Sequence, residues 1–89
     1  LSTNDGPFLI FFPTYERRME YVKTHCEIMD NIRGIGMLED HGLGLCNRRM
    51  KKKTARALEL YATLREAFGD DKISGALHTT MGHLQLRPH

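Results

Sequence analysis

Apolar residues recur at helical spacing along most of this chain. From position 14 to 33, Tyr15, Met19, Val22, Cys26 and Met29 follow steps of four, three, four and three, which lays them along one stripe of a helix. Thr14 supplies an N-cap, and Glu16 puts negative charge in the first turn, where the helix dipole favours it. Gly34 and Gly36 are expected to end this helix, because glycine enters left-handed backbone at little cost. The stretch 34–46 then reads as an irregular connection, glycine-rich yet apolar through Ile35, Met37, Leu38, Leu43 and Leu45.

The second helix, over 47–68, carries the clearest pattern. Asn47 is its N-cap, and Met50, Thr54, Ala57, Tyr61, Leu64 and Phe68 follow steps of four, three, four, three and four. Leu58 and Leu60 widen the stripe, and Gly69 stops the helix. A weaker third helix is predicted over 71–84, capped by Asp71. Ile73, Leu77, Met81 and Leu84 share one face there, while Gly75, Gly82, Thr79 and Thr80 lower its propensity.

Residues 1–13 read as an extended arm ahead of a single helical domain, 14–89. Its apolar run Phe8-Leu9-Ile10-Phe11-Phe12 sits between Pro7 and Pro13 and is far short of the roughly 18–20 residues that cross a bilayer. Two readings stay open for it: a segment folded back to close the core, or a plug for a partner's groove or a membrane surface. The expected fold is all-α. Two amphipathic helices pack antiparallel through Tyr15, Met19, Val22, Cys26 and Met29 on one and the Met50–Phe68 stripe on the other. A short third helix and the arm complete the bundle.

Composition narrows the function more than the fold. At 89 residues the chain is one small domain, and a core of that size barely offsets the entropy of ordering the chain. Apolar residues are 40% and charged residues 27%, a globular balance. The formal charge of +2 argues against a protein built wholly around nucleic acid. Two cysteines are too few for a disulfide scaffold or an all-thiolate zinc site.

The positive charge is unevenly placed. Arg48, Arg49, Lys51, Lys52, Lys53 and Arg56 gather six of the 13 basic residues at the start of the second helix, where cations oppose the dipole. An anionic partner would relieve that: acidic side chains of another subunit, a lipid headgroup, or, less favoured, nucleic-acid phosphate. No aromatic residue interleaves with the cluster to stack on bases. Together with Phe8, Phe11 and Phe12, these six are the candidate partner or lipid contacts.

Catalysis and cofactor binding find no support in the pattern. Gly34-Ile35-Gly36 lacks the third glycine of a dinucleotide fingerprint and the Lys-Ser/Thr of a P-loop. His25 and Cys26 are adjacent and diverge on a helix, His78 and His83 are five apart, and neither C-x-x-C nor H-E-x-x-H occurs. No catalytic residue, metal ligand or cofactor is therefore assigned.

One family resemblance adds to this. Asn47-Arg-Arg-Met50 followed by Ala57-Leu-Glu-Leu60 resembles the N-D-R-M…R-A-L-D-L stretch of the small matrix-side helical subunit of the cytochrome b-c complex, respiratory complex III. Asn31-Ile-Arg-Gly-Ile-Gly-Met-Leu-Glu-Asp40 is similar to that family's N-K-L-G-L…D-D segment, and Leu84-Gln-Leu-Arg-Pro88 to its leucine–proline ending. The Lys51–Lys53 triplet departs from the pattern, and the family's acidic segment between the first two blocks is missing. The resemblance implies a non-catalytic accessory subunit on the matrix face of the mitochondrial inner membrane, in contact with other protein subunits. The first residue, Leu1 rather than Met, fits two readings: a targeting peptide has been removed, or the chain starts further upstream. The alternatives are an organellar ribosomal or other nucleic-acid-associated accessory protein, and a stand-alone regulatory binding domain.

Overall fold

A computed structural model describes Phe12 and residues 14–86. Three helices run in sequence: α1, Tyr15–Asp40; α2, Arg48–Phe68; and α3, Gly75–Leu86, preceded by a 3₁₀ turn at Asp70–Lys72. No strand occurs among the described residues. The all-α expectation holds, and α1 and α2 form the main helical hairpin.

The ends of α2 follow the expected chemistry. Asn47 Oδ1 accepts from the backbone N–H groups of Arg49 and Met50, at 2.9 and 3.3 Å. Gly69 closes the helix at φ +89°, with its N–H on the Arg65 carbonyl. At the start of α1, Thr14 Oγ1 accepts from Arg17 N–H at 3.1 Å.

The far end of α1 differs from expectation. The helix passes through Gly34 and Gly36 and stops only at Asp40, so the connection shrinks from 34–46 to 41–47. The stop is built two turns later. Gly42 takes φ +81°, its N–H reaches the Glu39 carbonyl, and the Leu43 N–H reaches the Leu38 carbonyl. That pair of bonds is a Schellman motif, and it satisfies carbonyls that Gly34 has no comparable means of satisfying. The half-buried Leu43 packs against the core beside it.

Helix α3 starts at Gly75 rather than residue 71. Ser74, not Asp71, caps it: the Ser74 Oγ accepts from Leu77 N–H at 3.1 Å. The expected face is correct, since Ile73, Leu77, Met81 and Leu84 are all buried.

The largest correction concerns which face of α1 enters the core. The predicted stripe points outward: Tyr15, Met19 and Met29 are 70%, 41% and 38% exposed, and Cys26 is exposed too. Tyr21, Ile28, Ile35 and Leu38 are buried instead, with Ile32 packed beside them. Helix α1 thus has two apolar rows on opposite sides. Terminating it at residue 33 hides half of the inner row and leaves the outer one looking longer. On α2 all six predicted positions, Met50, Thr54, Ala57, Tyr61, Leu64 and Phe68, are buried.

The two glycines inside α1 are not equivalent. A Cβ on Gly34 would stand 2.9 Å from the Lys53 Cδ, whereas a Cβ on Gly36 meets nothing within 4 Å. Gly36→Ala is therefore expected to raise stability by about 0.5–1 kcal/mol, the usual helix-interior difference. Gly34→Ala gains less, because the Lys53 stem must move aside. Paired thermal melts of the two variants check the order.

Candidate functional site

The basic segment occupies the first two turns of α2. No acidic residue lies in its first turn, and neighbouring cations three and four apart repel one another. The six predicted contacts divide into three groups. Arg48, Arg49, Lys51 and Lys52 are exposed and make no ion pair among the described residues. Lys53 is half-buried, its stem lying over Gly34 of α1.

Arg56 belongs to the fold. Its guanidinium bonds Glu27 of α1 at 2.9 Å and Glu59 of its own helix at 2.5 Å. The Glu27 hydrogen bond, more than the other carboxylate interactions, holds its pKa above the ordinary arginine value. Arg56 is thereby removed from the set of cations open to an outside anion.

Two shallow grooves between α1 and α2 adjoin the cations. One, about 420 Å³, is lined by Gly34, Met37, Leu38, Arg49, Lys52 and Lys53. The other, about 590 Å³, runs on past Lys52 and Lys53 to Asn31, Ala55, Arg56 and Glu59. Each therefore pairs apolar stems and floor with positive rims. The absence of a side chain at Gly34 leaves the α1 side of the first groove low. The sequence did not foretell the grooves, since they require α1 to continue past Gly34.

Phe12 has another role than a partner contact. It is 2% exposed, with its ring centroid 4.9 Å from Tyr21 and 5.5 Å from Phe68. Of the two readings of the arm, this residue takes the core-closing one. Phe8 and Phe11 lie outside the described residues.

Several other titratable groups make contacts that hold the fold together. Tyr61 Oη and His78 Nδ1 are 2.5 Å apart, and His78 Nε2 is 3.1 Å from the Asp70 carbonyl. A neutral His78 protonated on Nε2 satisfies both: Tyr61 donates to Nδ1, and Nε2–H donates to the carbonyl. Arg65 grips the Asp70 carboxylate through Nε at 2.7 Å, which holds that carboxyl below its usual pKa. Burial pushes the Tyr21 phenol up, and its Oη donates to the Lys72 carbonyl at 3.0 Å. Among the described residues no three His, Cys, Asp or Glu side chains gather as a metal site.

No helix among the described residues is long and apolar enough to cross a membrane. Comparison with protein-family models, with curated proteins and with solved structures gives no match to this chain.

Proposed function

We propose that this chain is a non-catalytic accessory subunit that docks on the acidic surface of a larger protein assembly. The observation that carries the reading is the row of exposed cations, Arg48, Arg49, Lys51 and Lys52, with no carboxylate paired to them among the described residues. Unpaired like charges at the positive end of a helix cost stability, and an acidic partner turns that cost into attraction. The adjoining grooves add apolar surface that an inserted side chain would cover.

The sequence resemblance supplies the assembly to test first, a mitochondrial respiratory complex. Two of its blocks, Asn31–Asp40 and Asn47–Met50, contribute Gly34, Met37, Leu38 and Arg49 to the groove, whereas Lys52 and Lys53 belong to the triplet that departs from the family pattern. A matrix-side position on the inner membrane would also bring anionic headgroups within reach of the same cations.

Affinity purification of the tagged chain from mitochondria in mild detergent tests this. Respiratory subunits should be retained at low salt and lost as salt rises. The double variant Arg49→Glu with Lys52→Glu should weaken retention at least about tenfold, because like charges then face each other across the contact. Recovery of ribosomal RNA, or of no respiratory subunit, overturns the assignment.

A further inference from the structure

The outer row of α1 is an unpartnered apolar face. Tyr15, Met19, Val22, Cys26, Met29 and Met37 run along the side of the helix opposite the buried Tyr21, Ile28 and Ile35. Tyr15 and Met37, at its two ends, are 70% and 56% exposed. The row extends for about 33 Å at the normal rise of a helix. Nothing in the described chain covers it. Contiguous exposed apolar surface of this kind marks an interaction site, and methionine side chains suit one because they adapt to a partner's shape.

We propose that the row is a self-association face, and that two copies pair along it with their α1 helices antiparallel and Cys26 at the two-fold axis. The pattern around Cys26 is close to palindromic. Tyr15 lies eleven positions before it and Met37 eleven after; Val22 lies four before and Met29 three after. A two-fold axis at Cys26 sets Tyr15 of each copy opposite Met37 of the other.

The charges beside the row fit the same symmetry. Lys23 and Asp30 flank it on one edge, three before and four after Cys26. An antiparallel two-fold places same-edge residues together, so Lys23 of each copy faces Asp30 of the other, twice over. A parallel two-fold would instead put these residues on opposite edges of the contact, where neither Lys23 nor Asp30 meets its counterpart in the other copy. Lys23 has no ion pair among the described residues, and the Asp30–Arg33 pair, at 3.3 Å, is largely open to solvent. Arg33, which interrupts the row, falls opposite Met19, with Glu16 of the second copy one turn away.

The size of the face sets the strength. A strip about 33 Å long and about 10 Å wide covers about 300 Å² per copy, within the range of transient contacts. The dimer is therefore weak and concentration-dependent, micromolar or weaker. The row overlaps the groove beside Lys52 and Lys53 only at Met37, while Tyr15 to Met29, Lys23 and Asp30 lie outside that groove, so variants at those positions test self-association separately from the cation row on α2.

Sedimentation equilibrium of the whole chain over a micromolar concentration series, combined with a short bis-maleimide crosslinker, tests it. The Cys46→Ser chain, with Cys26 alone, should crosslink to a dimer. The Cys26→Ser chain, with Cys46 alone, should not. Met29→Lys should abolish both association and crosslinking while leaving helicity and melting temperature unchanged. Lys23→Asp should weaken association several-fold, and adding Asp30→Lys should restore it. A monomer at every concentration, crosslinking through Cys46, or failure of the double charge exchange to restore pairing overturns the proposal. A face that stays uncrosslinked until another protein is added overturns it equally, in favour of a different occupant.

Discussion

Leu64→Ala should be among the most damaging single changes in this chain. Leu64 is fully buried in the C-terminal part of α2, within the common core. Truncating such a leucine removes its transfer free energy and leaves a cavity, typically about 2–5 kcal/mol. A domain of this length holds only about 4–13 kcal/mol in total. At about 4–8 °C per kcal/mol, the midpoint of thermal unfolding should fall by at least about 8 °C. The informative control is Met19→Ala, which removes a comparable side chain from the outer row of α1. It should change the stability of the monomer by less than about 0.5 kcal/mol. Urea titrations of both variants at low protein concentration measure the contrast. Equal losses would mean that the two faces of α1 are assigned the wrong way round.

The same two faces show how far the sequence could be read. On α2 the pattern was decisive because only one side of the helix is apolar: Lys51, Lys52, Arg56, Glu59 and Glu66 exclude the other. Its ends were legible too, since Asn47 and Gly69 act locally, through bonds to backbone two to four residues away. Helix α1 offered no such contrast. Its outer row satisfies the 3.6-residue period as well as its inner row does, so periodicity alone could not choose between them. The choice depends on Ile35 and Leu38, which count only if the helix survives two glycines. Each glycine costs about 1 kcal/mol relative to alanine, and burial of two large aliphatic side chains outweighs that. Tertiary packing settled the matter, and single-position propensity could not anticipate it.

The cation cluster was legible as a composition but not as a site. Six charges looked alike in the sequence. In the structure Arg56 is tied to Glu27, 29 positions earlier, and Lys53 lies across Gly34. Contacts with α1, joined for Arg56 by its pair with Glu59, separate these two from the four that make no such contact. The pairing of Arg65 with Asp70 is similar: both residues are visible in the sequence, but their meeting needs the turn at Gly69. Because Asp70 is held below its ordinary pKa, the stabilisation it contributes is present above about pH 4 and is lost as pH falls through its lowered folded-state value. The pair is exposed, so that effect is small beside the loss of a core side chain.

Phe12→Ala is the second change expected to have a large effect, and it decides what the end of the arm does. The Phe12 ring meets Tyr21 at 40° and Phe68 nearly edge-on at 83°, while Tyr21 and Phe68 are themselves 5.3 Å apart at 87°. Three rings from the arm, α1 and α2 therefore close one end of the bundle. Arg17 completes the cap, with its guanidinium 4.0 Å over the Phe68 ring and a hydrogen bond to the Ala67 carbonyl. Removing the Phe12 ring should cost about 3–5 kcal/mol, since it vacates the centre of this cluster. The damage should spread to the 3₁₀ turn at Asp70–Lys72, because Tyr21, which bonds the Lys72 carbonyl, loses a packing neighbour. Amide exchange at Lys72 and Ile73 should accelerate, and Phe12→Leu, which restores apolar volume, should recover much of the loss. Were Phe12 instead a contact for a partner's groove, Phe12→Ala would leave the isolated chain as stable as before and weaken only its capture by the assembly. Denaturant midpoints of the isolated variants separate the two outcomes, because a ring buried in the chain's own core acts on folding before any partner is present.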